Sequence, residues 1–153
     1  MEITINNQQQ MKKFAHDMAK QATNHQIFAL FGNLGVGKSF FAKHFINHLQ
    51  TEKTAVLSPT FTLLQTYQTS KGEIFHFDLY RLKNALELEN IGFFLPIANN
   101  IMLIEWPEIA LPFLPNNITK IYFNKLVQSN IRQITILWTN TTLSVTTVAM
   151  AQD

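Results

Sequence analysis

An eight-residue, glycine-rich stretch limits the fold of this chain more than any other feature of its sequence. The stretch reads Gly32-Asn33-Leu34-Gly35-Val36-Gly37-Lys38-Ser39 and holds three of the chain's five glycines. It matches the pattern G-x-x-x-x-G-K-[ST], in which the backbone N–H groups of a tight loop surround a phosphate group. Such a loop needs positive φ angles and no side chain beside the ligand, and glycine meets both needs. The stretch therefore predicts a phosphate-binding loop to which all eight residues contribute.

The residues on either side of the loop have the hydrophobic patterns that this arrangement requires. Residues 27–31 form an unbroken apolar run, as expected of a strand buried on both faces, and residues 38–49 repeat apolar positions at helical spacing. The N-terminus of that helix would direct its dipole and its N–H groups at phosphates. We expect Lys38 to contact the β- and γ-phosphates of a nucleotide and the Ser39 hydroxyl to bind Mg²⁺.

The rest of the chain predicts helices that alternate with strands. Helices are expected over residues 11–22 and 84–92, with Asn84 as the candidate N-cap of the second. Strands are expected over 55–57 and 101–104, in hairpins of 62–67 with 73–79 and of 120–126 with 132–138, and over 142–148. This order predicts an α/β fold with a mixed, mostly parallel central sheet, flanking helices and β-hairpin additions.

Two acidic residues are candidates for the hydrolytic chemistry that a phosphate-binding loop alone does not supply. Glu105 follows a predicted central strand, at the sheet edge where ligands of open α/β sheets bind, so its carboxylate would reach Mg²⁺ directly or through water. Asp78 ends a hairpin strand. It would orient the attacking water, hold Mg²⁺ through a water shell, or form a structural salt bridge with Arg81. The spacing leaves these alternatives open.

Three further residues have alternative interpretations. The hydroxyl of Thr60, which follows Ser58-Pro59, would sense a γ-phosphate. Trp106 either packs in the core or lies near the nucleotide, and core packing is the commoner case for tryptophan. His76, two residues before Asp78, is expected to be a structural histidine.

Composition excludes several classes of protein. The chain of 153 residues has no cysteine, which rules out disulfides and thiolate metal sites, and one domain over residues 1–153 is the default at this length. A net charge of +2 is too small to predict a nucleic-acid or membrane surface. The chain contains no run of 18 apolar residues and no apolar signal segment, so we expect a cytoplasmic protein.

Four sequence blocks resemble the TsaE (formerly YjeE) family of small bacterial P-loop ATPases, which are needed to form threonylcarbamoyladenosine in tRNA. They are the glycine loop, Ser58-Pro59-Thr60-Phe61-Thr62-Leu63, His76-Phe77-Asp78-Leu79-Tyr80-Arg81, and Ile104-Glu105-Trp106. The second and third blocks are specific to this family. The resemblance implies a P-loop NTPase fold, Mg²⁺-dependent ATPase activity and, as cofactors, ATP and Mg²⁺.

The resemblance also implies partners and residue roles. The family works with the TsaB–TsaD heterodimer, in which TsaD transfers threonylcarbamoyl to adenosine 37 of tRNAs that read ANN codons, so contact with tRNA would be indirect. By the same resemblance Glu105 is a Mg²⁺ ligand, Asp78 is functionally needed and Thr60 acts in a switch-like segment. Trp106 would lie near the nucleotide, and Arg132, before a predicted strand, near its base.

The loop departs from the family pattern G-D-L-G-A-G-K-T-T at several positions. Asn33 removes a charge, Ser39 keeps the hydroxyl of threonine, and Phe40 loses a hydroxyl, which would lower turnover. Three alternative functions stay open: a small-molecule kinase, a nucleotide-binding regulatory module with little turnover, and direct tRNA binding. A kinase would need several arginines to hold the transferred phosphate, and the chain has two, Arg81 and Arg132.

Overall fold

Seven strands form the sheet in the computed structural model of the chain, which describes residues 1–126 and 131–138. The strands are β1 (Glu2–Ile5), β2 (Ile27–Phe31), β3 (Leu64–Thr69), β4 (Gly72–Asp78), β5 (Ile101–Glu105), β6 (Thr119–Lys125) and β7 (Arg132–Trp138). The helices are α1 (Gln8–Gln21), α2 (Lys38–Leu49) and α3 (Glu87–Asn90), and two 3₁₀ turns span Pro107–Ile109 and Leu111–Phe113.

The strand order is β1-β7-β6-β2-β5-β4-β3. The four central strands β6, β2, β5 and β4 are parallel, whereas β7 pairs antiparallel with β1 and β6, and β3 pairs antiparallel with β4. Every residue of β2 and β5 is buried, which explains the continuous apolar sequence of β2 and of the first four residues of β5. This architecture confirms the predicted α/β fold, and it brings the carboxyl ends of β2, β4 and β5 to one edge of the sheet.

Aromatic side chains fill the core on both faces of the sheet. Helices α1 and α2 cover one face, where the ring of Phe41 lies 5.2 Å from that of Phe14 and 5.6 Å from that of Phe123. On the other face, Phe77 and Phe93 are fully buried with ring centroids 5.0 Å apart, beside α3 and the 3₁₀ turns. Strands β2 and β5 therefore lie buried between the two layers.

Two predicted elements differ in the structure. Residues 55–57 do not form a strand, because β4 occupies the position beside β5 in the sheet. This segment contacts Tyr67 instead, whose hydroxyl accepts a hydrogen bond from Leu57 N at 3.1 Å. The helix predicted over residues 84–92 shortens to α3. The Asn84 side chain accepts from Leu86 N at 3.0 Å, and the Asn84 N–H donates to Glu87 Oε1 at 3.2 Å, so Asn84 caps the turn that precedes the helix. The α-helix itself starts only at Glu87, so its N-cap position is held by Leu86 and not by Asn84.

Strand β1 has no counterpart among the predicted elements, because four residues are too few to give a clear period of two. Its place in the sheet comes from pairing with β7, which lies far away in the sequence. The first hairpin closes between Thr69 and Gly72, a tighter turn than the five residues expected. The strand predicted over residues 142–148 lies outside the described residues.

Candidate functional site

The loop between β2 and α2 adopts the backbone conformation that its glycines predict. Gly32, Gly35 and Gly37 have φ angles of 137°, 73° and 119°, in the region that side-chain-bearing residues rarely adopt. A Cβ atom on Gly32 would lie 2.5 Å from the carbonyl oxygen of Phe123, so the loop is pressed against β6. Helix α2 begins at Lys38, directly after Gly37, which directs its first-turn N–H groups toward the loop.

Lys38 is buried inside the loop, with its ammonium group held by three partners. Its Nζ donates to the carbonyl oxygens of Gly32 at 2.6 Å and Asn33 at 3.0 Å, and lies 4.1 Å from the centroid of the Trp106 ring. Burial lowers the pKa of Lys38, and nearby carboxylates, Glu105 most strongly, oppose that shift. A phosphate group in the loop would compete for this ammonium with the two carbonyls.

Glu105, the last residue of β5, links the start of α2 to strand β4. Its Oε2 accepts a hydrogen bond from the Ser39 hydroxyl at 2.7 Å, and its Oε1 lies 2.9 Å from Nε2 of His76. The side chains of His76 and Glu105 are 1% and 2% exposed. The parallel register of β4 and β5 sets Asp78 opposite Glu105, so both acidic residues come to the same edge of the sheet.

Asp78 is held by hydroxyl and amide donors. Its Oδ2 accepts from the Thr60 hydroxyl and its Oδ1 from the backbone N–H of Tyr80, both at 3.0 Å. The guanidinium of Arg81 lies instead 4.7 Å from the centroid of the Phe61 ring. The salt bridge between Asp78 and Arg81, one of the three alternatives, therefore does not form between these two described residues.

These side chains border one cleft with a volume of about 260 Å³. Its lining consists of Leu34, Gly35, Gly37, Lys38, Ser39, Phe40, Thr60, Asp78, Tyr80, Glu105 and Trp106. A larger cavity of about 520 Å³ lies between the second 3₁₀ turn and the β6–β7 hairpin, but it contains none of the candidate residues. We therefore assign the candidate site to the smaller cleft, where the charged and hydroxyl groups converge.

Four predicted binding residues are not part of this lining. Gly32 and Asn33 face Lys38 through their carbonyl oxygens, and the Val36 side chain is buried in the core. Arg132, at the start of β7, donates from Nε to the Val36 carbonyl oxygen at 3.2 Å. These contacts hold the backbone of the loop in its observed conformation.

Trp106 and Tyr80 form the aromatic wall of the cleft. Trp106 is half-buried, with φ 54° and ψ 57°, and its ring centroid lies 4.8 Å from that of Tyr80, which is largely exposed. Trp106 therefore lies beside the phosphate-binding loop and is not packed in the core. The sequence places His76, Asp78 and Tyr80 on one face by their alternation, but it assigns no role to Tyr80 and predicts a structural role for His76.

The donor atoms of the cleft suit Mg²⁺, which prefers oxygen ligands and is usually bound by one or two protein groups together with phosphates. The Ser39 hydroxyl and the Glu105 carboxylate are already adjacent, and Asp78 lines the same cleft. Among residues 1–126 and 131–138, no three His, Asp or Glu side chains are grouped to hold a metal by themselves. No helix in this part of the chain is long and apolar enough to cross a membrane.

Comparisons with known proteins point to one family. The family model described as threonylcarbamoyl adenosine biosynthesis protein TsaE matches residues 5–134. Proteins named tRNA threonylcarbamoyladenosine biosynthesis protein TsaE are similar to this chain. The Rickettsia felis protein is 45% identical over 70% of this chain and 63% of its own length. The Rickettsia typhi protein is 36% identical over 87% and 92%. The Aquifex aeolicus protein is 34% identical over 72% and 80%.

A solved structure shares the fold. The crystal structure of Bacillus subtilis YdiB superposes with a TM-score of 0.72 over 92% of this chain and 86% of that chain, at 23% sequence identity.

The matched part of the chain spans just under two thirds of the length of the Rickettsia felis relative, and nearly all of the length of the Rickettsia typhi relative.

Proposed function

Because this chain belongs to the TsaE family, we propose that it is a Mg²⁺-dependent P-loop ATPase that takes part in placing threonylcarbamoyl on adenosine 37 of tRNAs that read ANN codons. One observation carries this proposal: Lys38, Ser39 and Glu105 meet in the cleft formed by the glycine loop. We further propose that residues 1–153 form one domain and that the protein acts in the cytoplasm.

In the proposed site the loop binds ATP, with Lys38 on the β- and γ-phosphates. Ser39 and Glu105 hold Mg²⁺, an assignment supported by their 2.7 Å hydrogen bond. Once bound, the ion would neutralise charge that develops on the phosphate oxygens. Trp106, whose ring now contacts Lys38, would form the wall beside the nucleotide.

Asp78 and Thr60 are the proposed water-orienting pair. Their hydrogen bond of 3.0 Å fixes one oxygen of Asp78, and the Tyr80 N–H fixes the other, so the carboxylate is held in one orientation inside the cleft. A carboxylate held in this way accepts a proton or directs a water without reorganising first.

We propose that the chain works with TsaB and TsaD and touches tRNA only through them, with ATP hydrolysis driving a conformational reset of the complex. Exposed apolar side chains near the cleft support a partner on this side: Leu34 is 82% exposed and Phe61 is 79% exposed. Transfer of the threonylcarbamoyl group is left to the partners, because one nucleotide cleft is the sole convergence of catalytic groups that we find among the described residues.

A regulatory module with little turnover is the second candidate, and Phe40 is the observation that favours it. Its ring lines the cleft and packs against His44, with centroids 4.4 Å apart, where the family places a hydroxyl. A small-molecule kinase is less well supported. The Arg81 guanidinium lies over Phe61 and Arg132 binds the back of the loop, whereas a kinase directs arginines at the transferred phosphate.

The test is ATP hydrolysis by the purified chain, alone and with purified TsaB and TsaD, in Mg²⁺ and in EDTA. We expect turnover that requires Mg²⁺ and rises when both partners are present. Glu105→Ala should keep part of its nucleotide binding but lose Mg²⁺-dependent hydrolysis, whereas Glu89→Ala, at an exposed position on α3, should behave like wild type.

Normal hydrolysis by Glu105→Ala with both partners present would show that the metal assignment is wrong. Phosphorylation of a metabolite would establish a kinase. Tight ATP binding without turnover, in the presence of both partners, would favour the regulatory module.

A further inference from the structure

The proposed metal ligand Glu105 is held from behind by a histidine that the proposed function does not use. His76 lies in the middle of β4, opposite Leu103 of β5, with 1% of its side chain exposed. Its Nε2 is 2.9 Å from Oε1 of Glu105, and this contact is also buried. His76 is thus close to the phosphate-binding loop but separated from the cleft by the Glu105 carboxylate.

The hydrogen bonds define the tautomer of His76. A carboxylate oxygen accepts, so Nε2 must carry the proton and donate it. The other ring nitrogen, Nδ1, is buried and has no hydrogen-bond partner among the described residues. An N–H at that position would be a buried donor without an acceptor, which costs more than a bare ring nitrogen in apolar surroundings. The two contacts therefore fit a ring that carries its donor proton on Nε2.

The two oxygens of Glu105 have different partners. Oε1 accepts from His76, which is fixed within a strand of the central sheet. Oε2 accepts from Ser39, the residue that shares the proposed metal site, so this is the oxygen that faces the loop. The hydrogen bond from His76 to Oε1 limits the rotation of the carboxylate, and it leaves Oε2 beside the Ser39 hydroxyl, where the two groups would hold the proposed Mg²⁺.

We propose that His76 is a positioning residue for Mg²⁺: its Nε2–H fixes the Glu105 carboxylate so that Oε2 is presented to the ion. This inference rests on the proposed function, since it assigns a role in the same site. Residues that hydrogen-bond to metal-binding carboxylates typically contribute about 10–100-fold to metal affinity. His76 acts through Glu105 and has no direct contact with the nucleotide.

Two substitutions separate this role from simple packing. His76→Leu removes the donor and keeps an apolar side chain of similar bulk in the core. His76→Gln retains an N–H group at nearly the distance of Nε2. Binding of ADP is measured by calorimetry in EDTA, and binding of Mn²⁺ to the ADP complex by electron paramagnetic resonance, so neither readout depends on turnover.

We expect His76→Leu to bind ADP in EDTA like wild type but to bind Mn²⁺ about 10–100-fold more weakly, and His76→Gln to recover most of that loss. Unchanged Mn²⁺ affinity in folded His76→Leu would overturn the role of His76 and leave the proposed function intact. Equal loss of ADP binding with and without metal would also overturn it, because that is the result of a structural defect. Wild-type protein that binds no ADP would refute the proposed function itself.

A measurement on the wild type covers the case in which His76→Leu does not fold. Nitrogen-15 NMR of the nucleotide-free protein, with the His76 signals assigned by their loss in His76→Gln, should show a proton on Nε2. A ring with a proton on Nδ1 and none on Nε2 would overturn the proposal, because Nε2 would then be unable to donate to Glu105.

Discussion

At the scale of single residues, Gly32 fits the loop to the sheet more closely than any other residue type would permit. Its φ of 137° is strained for a side-chain-bearing residue, and an added Cβ would lie 2.5 Å from Phe123 O and 2.9 Å from Val36 Cγ1. Both obstacles are parts of the core or of the backbone of β6. Gly35 has a positive φ as well, but a Cβ there meets no heavy atom within 4 Å.

We therefore predict unequal effects of two alanine substitutions. Gly32→Ala should lower the free energy of unfolding by about 3 kcal/mol, since backbone strain and overpacking each cost about 1–3 kcal/mol. Gly35→Ala should cost about 1–2 kcal/mol, the strain of a left-handed conformation alone. Urea unfolding monitored by circular dichroism measures both. Equal losses would mean that β6 moves away from the loop at little cost.

Lys38 supplies a second prediction at this scale. Lys38→Ala should weaken ATP binding about 100-fold or more, because a hydrogen bond to a charged group contributes about 1.5–3 kcal/mol and the lysine contacts two phosphates in the proposed complex. Lys43→Ala, at an exposed position on the same helix, is the matched control. Calorimetric titration with ATP measures the affinity of both variants. An unchanged affinity for ATP in Lys38→Ala would contradict the proposed role of the loop.

The sequence was most informative where the backbone itself is constrained. Three positive φ angles and the start of α2 at Lys38 follow from the glycine pattern. The contact between His76 and Glu105 did not follow, because alternation predicts which face a side chain occupies but not which strand lies beside it. That neighbour is set by the register of β4 against β5, a property of the whole sheet.

At the scale of elements, helices α1 and α2 meet through three histidines. The His16 ring stacks on that of His48 at 4.8 Å and lies 6.1 Å from that of His44. Burial lowers the pKa of His16, and His48, His44 and Lys12 lower it further, while Asp17 raises it. Burial also lowers the pKa of His44, together with Lys12 and Lys43. Positive charge is therefore unfavourable at this helix pair.

The lowered pKa values predict acid sensitivity. Between the folded pKa of His16 or His44 and the unfolded value of 6.5, the unfolded chain binds more protons, so the free energy of unfolding falls as pH decreases through that window. Urea unfolding at pH 7.5 and 5.5 should show this loss, and His16→Gln should reduce it. His25→Asn, in the turn before β2, is the control; an identical pH dependence in His16→Gln would contradict the assignment.

Elements were predictable from sequence where packing and local preference agree. The helix over residues 38–49 has its predicted bounds because its apolar face matches the core between α1 and the sheet. Residues 55–57 are apolar but unpaired, since the position next to β5 belongs to β4. A short apolar run does not indicate whether the sheet has a vacant edge for it.

At the scale of the whole molecule, charge limits what the chain does without partners. The net charge is +2, from 12 basic and 10 acidic side chains, which gives little attraction for a phosphate backbone. We predict that the isolated chain binds tRNA only weakly, with a Kd of roughly 10⁻⁴–10⁻⁶ M or weaker, and that raising salt from about 50 to 200 mM weakens it further.

Fluorescence anisotropy of labelled tRNA measures this affinity, and an unrelated RNA of equal length serves as the control. Similar weak binding of both is the expected result. Tight binding that selects tRNA at physiological salt would show that the chain recognises tRNA directly, and would overturn the view that its partners make that contact.

The pairing of β1 with β7 has a consequence for how the protein is made. Residues 2–5 are synthesised well before their partner strand, which spans residues 132–138. At about 5–20 residues per second, synthesis separates these two strands by on the order of ten seconds. During that interval the backbone groups of residues 2–5 lack the strand with which they pair in the folded sheet. Completion of this sheet is therefore a late event, which follows translation of β7.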